Sequence, residues 1–255
     1  MNRERREERV MRIGVMGGTF DPIHLGHLRA AEEIYYAFGL DHIIFVPAAR
    51  PPHKGEEDVA AAIHRYEMVS LATVFTPYFT VSPIELNRPD KSYSIETIRE
   101  FLRIYGPETR LSFIMGVDAF LEMSTWKDAV EILRVAQVIV TARPGWRLDE
   151  VEGALSAEQR EGLGHPRFRY LKIAEIEKEI AERAPMPGVV LLVEVVSLDI
   201  SSREIRRLVE EGRSIRYLVP DTVAAYMAKN RLYQRPKPMG VAHQPRSTER
   251  PWDRR

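Results

Sequence analysis

The segment that most constrains this chain is the join between its first apolar run and its first helical stretch. Arg12–Met16 is short and mostly apolar, and Gly17 and Gly18 follow it. Such a run bounded by glycine reads as a buried strand ending in a tight turn. Leu25 to Phe38 then carries apolar residues at helical spacing and closes at Gly39, a residue suited to ending a helix. His42–Val46 is strand-like again, and Pro47 ends it. Strand, helix and strand in so short a stretch form a βαβ unit, which requires parallel strands and a right-handed crossover.

The alternation continues. Helices are predicted at Ala61–Phe75, from Ser94 as N-cap to Tyr105, at Ala129–Val135, at Ser202–Glu211 and at Pro220–Lys229. Strands are predicted at Phe79–Ser82, Leu111–Met115, Val138–Thr141 and Val189–Val196. The fold class expected is α/β, a Rossmann-like doubly wound and mainly parallel sheet with helices on both faces. Residues 11–233 form this domain. Residues 143–187 are polar, without an evident strand, and read as an insertion at its edge with a helix at Ile173–Arg183. Residues 1–10 are a charged extension, and 234–255, rich in Pro and Arg, are expected to be disordered.

Composition narrows the classes. Lys+Arg and Asp+Glu both number 37, so no global field draws nucleic acid, and any anion site is local. With no cysteine, disulfides and thiolate metal sites are excluded and a reducing compartment fits. No apolar run reaches membrane-spanning length, and the first residues lack the apolar stretch of a signal peptide. A soluble cytoplasmic protein is expected; a homo-oligomer stays open.

The chemistry gathers between first strand and first helix. Gly17 and Gly18 remove side chains where the backbone must approach a ligand. The free N–H groups of the following helix start point at the strand end, a ready anion site. His24 and His27 share one helical face, and Gly26 stands between them. The P-loop and dinucleotide glycine patterns are both missing. A histidine pair at this spacing also occurs in metal sites, but no third ligand stands nearby.

The residues Gly18, Phe20, Asp21, His24, Gly26 and His27 resemble the nucleotidyltransferase superfamily marked by Gly-x-Phe-Asp-x-x-His-x-Gly-His. The resemblance implies that both histidines bind a triphosphate and stabilise charge as the α-phosphorus is attacked. Nucleotidyl transfer is catalysed chiefly by positioning and electrostatics, so no protein nucleophile is needed. Far downstream, Ile200-Ser201-Ser202-Arg203-Glu204-Ile205-Arg206 begins a helix. Either serine can cap it, and Arg206 lies one turn beyond Ser202, where it can fork onto a phosphate. Alone, this is more often a cap beside a solvated face. It resembles the superfamily's Ile-Ser-Ser-Thr-x-x-Arg motif for β- and γ-phosphates, with Arg203 in place of Thr. The implied catalytic set is His24, His27 and Arg206. The implied ATP-binding set is Gly17, Gly18, Thr19, Phe20, Gly26, Gly116, Asp118, Ser201 and Ser202.

Three further segments bear on the acceptor. Ser92-Tyr93-Ser94-Ile95-Glu96-Thr97, Gly116-Val117-Asp118 followed by Trp126, and Pro51-Pro52-His53-Lys54 resemble bacterial nicotinate-nucleotide adenylyltransferases. In that family the first segment contacts the nicotinate carboxylate, the aspartate meets the ribose region, and the tryptophan stacks on the pyridine ring. A flat indole suits a flat aromatic partner, though Trp126 alone reads as core. The implied acceptor set is Lys54, Ser92, Tyr93, Ser94, Thr97 and Trp126. The resemblance therefore implies ATP and nicotinate mononucleotide as substrates, with deamido-NAD and pyrophosphate as products. Mg2+ would be bound through the ATP phosphates and water, with neither Asp21 nor Asp118 a metal ligand. Adenylyl transfer to nicotinamide mononucleotide or phosphopantetheine, cytidylyl transfer, and an inactive nucleotide sensor are the alternatives.

Overall fold

A computed structural model describes residues 10–50, 59–88, 93–142, 148–153, 155–173, 176, 188–196 and 198–234. Its strands are β1 (Arg12–Gly18), β2 (His42–Pro47), β3 (Phe79–Val81), β4 (Arg110–Gly116), β5 (Gln137–Ala142), β6 (Arg167–Lys172) and β7 (Val189–Glu194). The helices are α1 (Leu25–Ala37), α2 (Ala62–Thr73), α3 (Ser94–Tyr105), α4 (Val117–Glu122), α5 (Ala129–Val135), α6 (Leu148–Gly153), α7 (Ala157–Gly162), α8 (Ser202–Glu210) and α9 (Asp221–Lys229). A 3-10 turn, Met123–Thr125, follows α4.

The strands form one sheet in the order β3-β2-β1-β4-β5-β7-β6. Every pairing in it is parallel. The chain winds from β1 out to β3, then returns beside β1 with β4 and winds the other way. The switch point lies between β1 and β4, where open α/β sheets leave a crevice beyond the carboxyl strand ends.

Both faces of the sheet are covered, as a parallel sheet demands. One core cluster includes Met16, Ile34, Phe45, Met68, Ile114 and Val223. The other includes Val15, Ile98, Phe113, Met115, Phe120 and Ile132. Side chains alternate along a strand, so β1 sends Met16 to one core and Val15 to the other. Each such fully buried side chain contributes roughly 1.5–3 kcal/mol.

The structure departs from the sequence reading in two places. Residues 143–187 do contain a strand: β6 lies at the sheet edge and pairs with β7. Its exposed basic residues, Arg167 and Lys172, mask the apolar run that marks an inner strand. Ser94 is the first residue of α3, and Tyr93 occupies the N-cap with no side-chain bond. The expected helix at Ile173–Arg183 falls largely outside the described residues. None of the described helices is long and apolar enough to cross a membrane.

Candidate active site

A cavity of about 250 Å3 opens at the switch point. Gly17, Gly18, Phe20, His24, Gly26 and His27 form one wall. Gly116, Val117 and Asp118 face them from the end of β4, and Thr141, Val195, Leu198 and Ile200 are among the rest of the lining. Eight of the residues expected at the nucleotide thus line one space: Gly17, Gly18, Phe20, His24, Gly26, His27, Gly116 and Asp118.

The wall begins with the start of α1. His24 is its N-cap, in extended conformation. The His24 backbone N–H donates to Nδ1 of His27 at 3.3 Å, the return arm of a capping box made with imidazole. A neutral His27 ring whose Nδ1 accepts must carry its proton on Nε2, where it can donate to a ligand. The two imidazoles stack at 3.7 Å between centroids, with 23° between planes. The edge of Phe20 meets His27 at 5.2 Å. His24 is 3% exposed. Its ring lies over Gly26, where an added Cβ would come 3.0 Å from Nδ1. Glycine there accommodates the catalytic-looking imidazole, a reason the sequence did not reveal. An added Cβ at Gly18 would likewise come 3.0 Å from the Phe20 ring.

Behind the wall lies a set of charges reaching Asp21, which is 1% exposed. Its Oδ1 accepts from the Ala60 N–H at 3.1 Å and from the Tyr233 hydroxyl at 2.5 Å. Arg206 Nη1 donates to the Asp21 carbonyl at 2.6 Å and stands 3.4 Å from Oδ2. Arg206 therefore braces the 19–22 loop from beside the cavity and does not line it. Its side chain is 25% exposed, and a guanidinium has further donors to offer.

Arg65, which the sequence reading missed, is 1% exposed. It donates to the carbonyls of Thr19 (2.8 Å), Ala49 (3.1 Å) and Ala60 (2.8 Å). Burial lowers its pKa, and the Asp21 charge works against that. Tyr233 was also missed; burial, then the Asp21 charge, raises its pKa, so its hydroxyl remains a donor. Both residues contact the loop from 46 and 212 positions away, so only a basic residue at a helical core position could have hinted at Arg65. The serines of the second motif face inward too. Ser201 caps α8, accepting from the Glu204 N–H at 3.1 Å, and Ser202 donates to the Pro22 carbonyl at 2.8 Å. Ser202 ties α8 to the first motif.

Of the expected acceptor residues, the described ones, Tyr93, Ser94, Thr97 and Trp126, do not line this cavity. Thr97 is buried and its hydroxyl is engaged: it donates to Glu85 Oε1 at 2.8 Å and accepts from Arg88 Nη1 at 2.9 Å. Lys127 binds Glu96 at 2.7 Å and sits over the Tyr93 ring at 4.5 Å. The bond to Glu96 raises the Lys127 pKa. Trp126 packs edge-on against Phe113 at 6.3 Å. Its indole Nε1 is buried and makes no hydrogen bond among the described residues. It borders a surface hollow with Arg99 and Arg134 and not the switch-point cavity. Lys54 and Ser92 lie outside the described residues.

Among the described residues, no three His, Asp or Glu side chains converge as a metal cage. Asp21 Oδ1 accepts two hydrogen bonds and Oδ2 faces Arg206, while Asp118 stands exposed at the cavity rim.

A family model described as cytidylyltransferase-like matches residues 15–208. Fold and match together define a Rossmann-like nucleotidyltransferase. A protein of Thermoanaerobacter sp. (strain X514), described as a probable nicotinate-nucleotide adenylyltransferase, is 43% identical over 235 residues, covering 92% of this chain and 100% of that protein. One of Moorella thermoacetica with the same description is 43% identical over 230 residues, covering 90% and 94%. The chain belongs to the nicotinate-nucleotide adenylyltransferase family. The solved structure of Plasmodium falciparum nicotinic acid mononucleotide adenylyltransferase complexed with NaAD shares the fold, with TM-score 0.64 and 15% identity over 88% of this chain and 97% of that one.

Proposed function

We propose that this chain joins ATP to nicotinate mononucleotide, giving deamido-NAD and pyrophosphate. The observation that carries the reading is the stacked His24–His27 pair at the start of α1, facing Gly116 and Asp118 across the switch-point cavity. The triphosphate lies along the His24–His27 wall, and Asp118 takes the nucleotide ribose. A phosphate oxygen of the mononucleotide attacks the α-phosphorus in line. The bond from the α-phosphorus to the bridging oxygen breaks, and that oxygen leaves on pyrophosphate. His27 donates from Nε2 to the oxygens that gain charge, and His24 supports it from the stack. Arg206 offers its remaining donors to the phosphates while it braces the loop. These groups act by position and charge, as the chemistry requires. Mg2+ carried on the phosphates would neutralise the leaving pyrophosphate.

The acceptor assignment is supported by the family and by an indole bordering a surface hollow with Arg99 and Arg134, chemistry suited to a charged aromatic ring. The test is pyrophosphate release from ATP and Mg2+ with nicotinate mononucleotide, nicotinamide mononucleotide or phosphopantetheine. The acid mononucleotide should give the highest kcat/KM. A higher value with either rival, or no release with the acid, overturns the reading.

A further inference from the structure

The buried side of the first motif holds a group that neither motif contains. Tyr233 follows α9, at the far end of the fold, and its hydroxyl reaches Asp21 Oδ1 at 2.5 Å. Its backbone φ is 60°, and that of Arg231 is 53°. Both lie in the left-handed region that L side chains rarely adopt. The turn after α9 therefore takes an unfavoured conformation that brings this hydroxyl back under the 19–22 loop. Burial keeps the hydroxyl protonated. A carboxylate offers two oxygens, and the hydroxyl and the Ala60 N–H occupy one of them. The other oxygen is left for Arg206, at 3.4 Å.

We propose that Tyr233 is a positioning residue for nucleotide binding: by fixing the rotation of the Asp21 carboxylate it sets the aim of Arg206. Without the hydroxyl, Oδ1 loses a donor and the carboxylate turns toward Arg206. The guanidinium then pairs with both oxygens, and donors otherwise free for phosphate are spent on Asp21. The inference rests on the proposed role of Arg206 at the triphosphate.

The test is a double-mutant cycle of Tyr233→Phe and Arg206→Ala in the full chain. It reads the Kd of a non-hydrolysable ATP analogue with Mg2+, and kcat, alongside thermal midpoints. Phenylalanine keeps the ring in its packing and removes the hydroxyl alone. In the wild-type background Y233F should weaken analogue binding roughly tenfold, about the value of one hydrogen bond to a charged group. In the R206A background it should change binding less than about twofold, because the path runs through Arg206. Equal losses in both backgrounds, or no loss in the wild type, overturn the inference. R206A alone reports on the other reading: unchanged analogue affinity there removes Arg206 from the triphosphate site, whatever the coupling shows. A midpoint shift that accompanies Y233F equally in both backgrounds marks packing and does not move the coupling.

Discussion

The nucleotide wall and the expected acceptor side are built differently. On the wall and just behind it, His24 and Asp21 are almost wholly buried, the imidazoles are stacked, and Arg65 and Arg206 tie the loop to distant elements. On the acceptor side, Trp126 keeps an unpartnered indole N–H, and the Lys127–Glu96 pair stands at the surface. On the proposed reading, the phosphate wall is thus organised before substrate arrives, which favours transition-state stabilisation. Misplacement should therefore be felt as kcat on the wall and as KM on the other side.

The largest expected effect is His27→Ala. It removes a preorganised donor and should lower kcat about 10^2–10^3-fold, with little change in acceptor KM. Pyrophosphate release measures this, and a variant with near wild-type kcat would break the contrast at its strongest point. Next is Arg65→Ala, which strands the carbonyls of Thr19, Ala49 and Ala60. Leaving such groups and the Asp21 charge buried should cost about 3–5 kcal/mol, read from denaturant midpoints. An unchanged midpoint would mean that the wall does not depend on this brace. Trp126→Ala should raise acceptor KM roughly tenfold, the scale of an aromatic stacking interaction, with kcat nearly constant. If KM holds while the melting temperature falls, Trp126 serves Phe113 alone, and the two sides no longer divide as described.

The smallest effect concerns Glu204, exposed on α8. Its pKa is lowered first by the hydrogen bond from Arg207. A depressed carboxylate pKa stabilises the fold above the unfolded value and loses that contribution as pH falls through the folded one. Glu204→Gln should leave neutral-pH melting within experimental scatter, because exposed pairs contribute little. It should slightly flatten the acid limb below about pH 4.5. A large neutral-pH shift would show that α8 needs this pair to hold Ser201 and Arg206 against the wall.

The legible parts of the sequence were those set by local pattern. Inner strands such as β4 and β7 are dominated by apolar residues because both faces are covered. The first motif is contiguous, so Gly17 to His27 could be read as one unit. β6 was missed because an edge strand needs no apolar run and here alternates basic and aromatic residues. α4, of 6 residues, is too short to show a period. Arg65 and Tyr233 were hidden for another reason. Their partner Asp21 and its loop are distant in sequence, and nothing local marks a side chain that will be buried against a loop. Trp126 was legible as an aromatic beside the site, but not its separation from the switch-point cavity.

The alternation along β1 carries one more consequence. A strand that feeds both cores and pairs on both edges opens only when the whole domain opens, so its amides should be among the slowest to exchange with deuterium. Gly17 and Gly18 end that same strand. The wall proposed to be catalytic is thus hung from the last part of the molecule to come apart, and loss of turnover on heating should track global melting and not precede it.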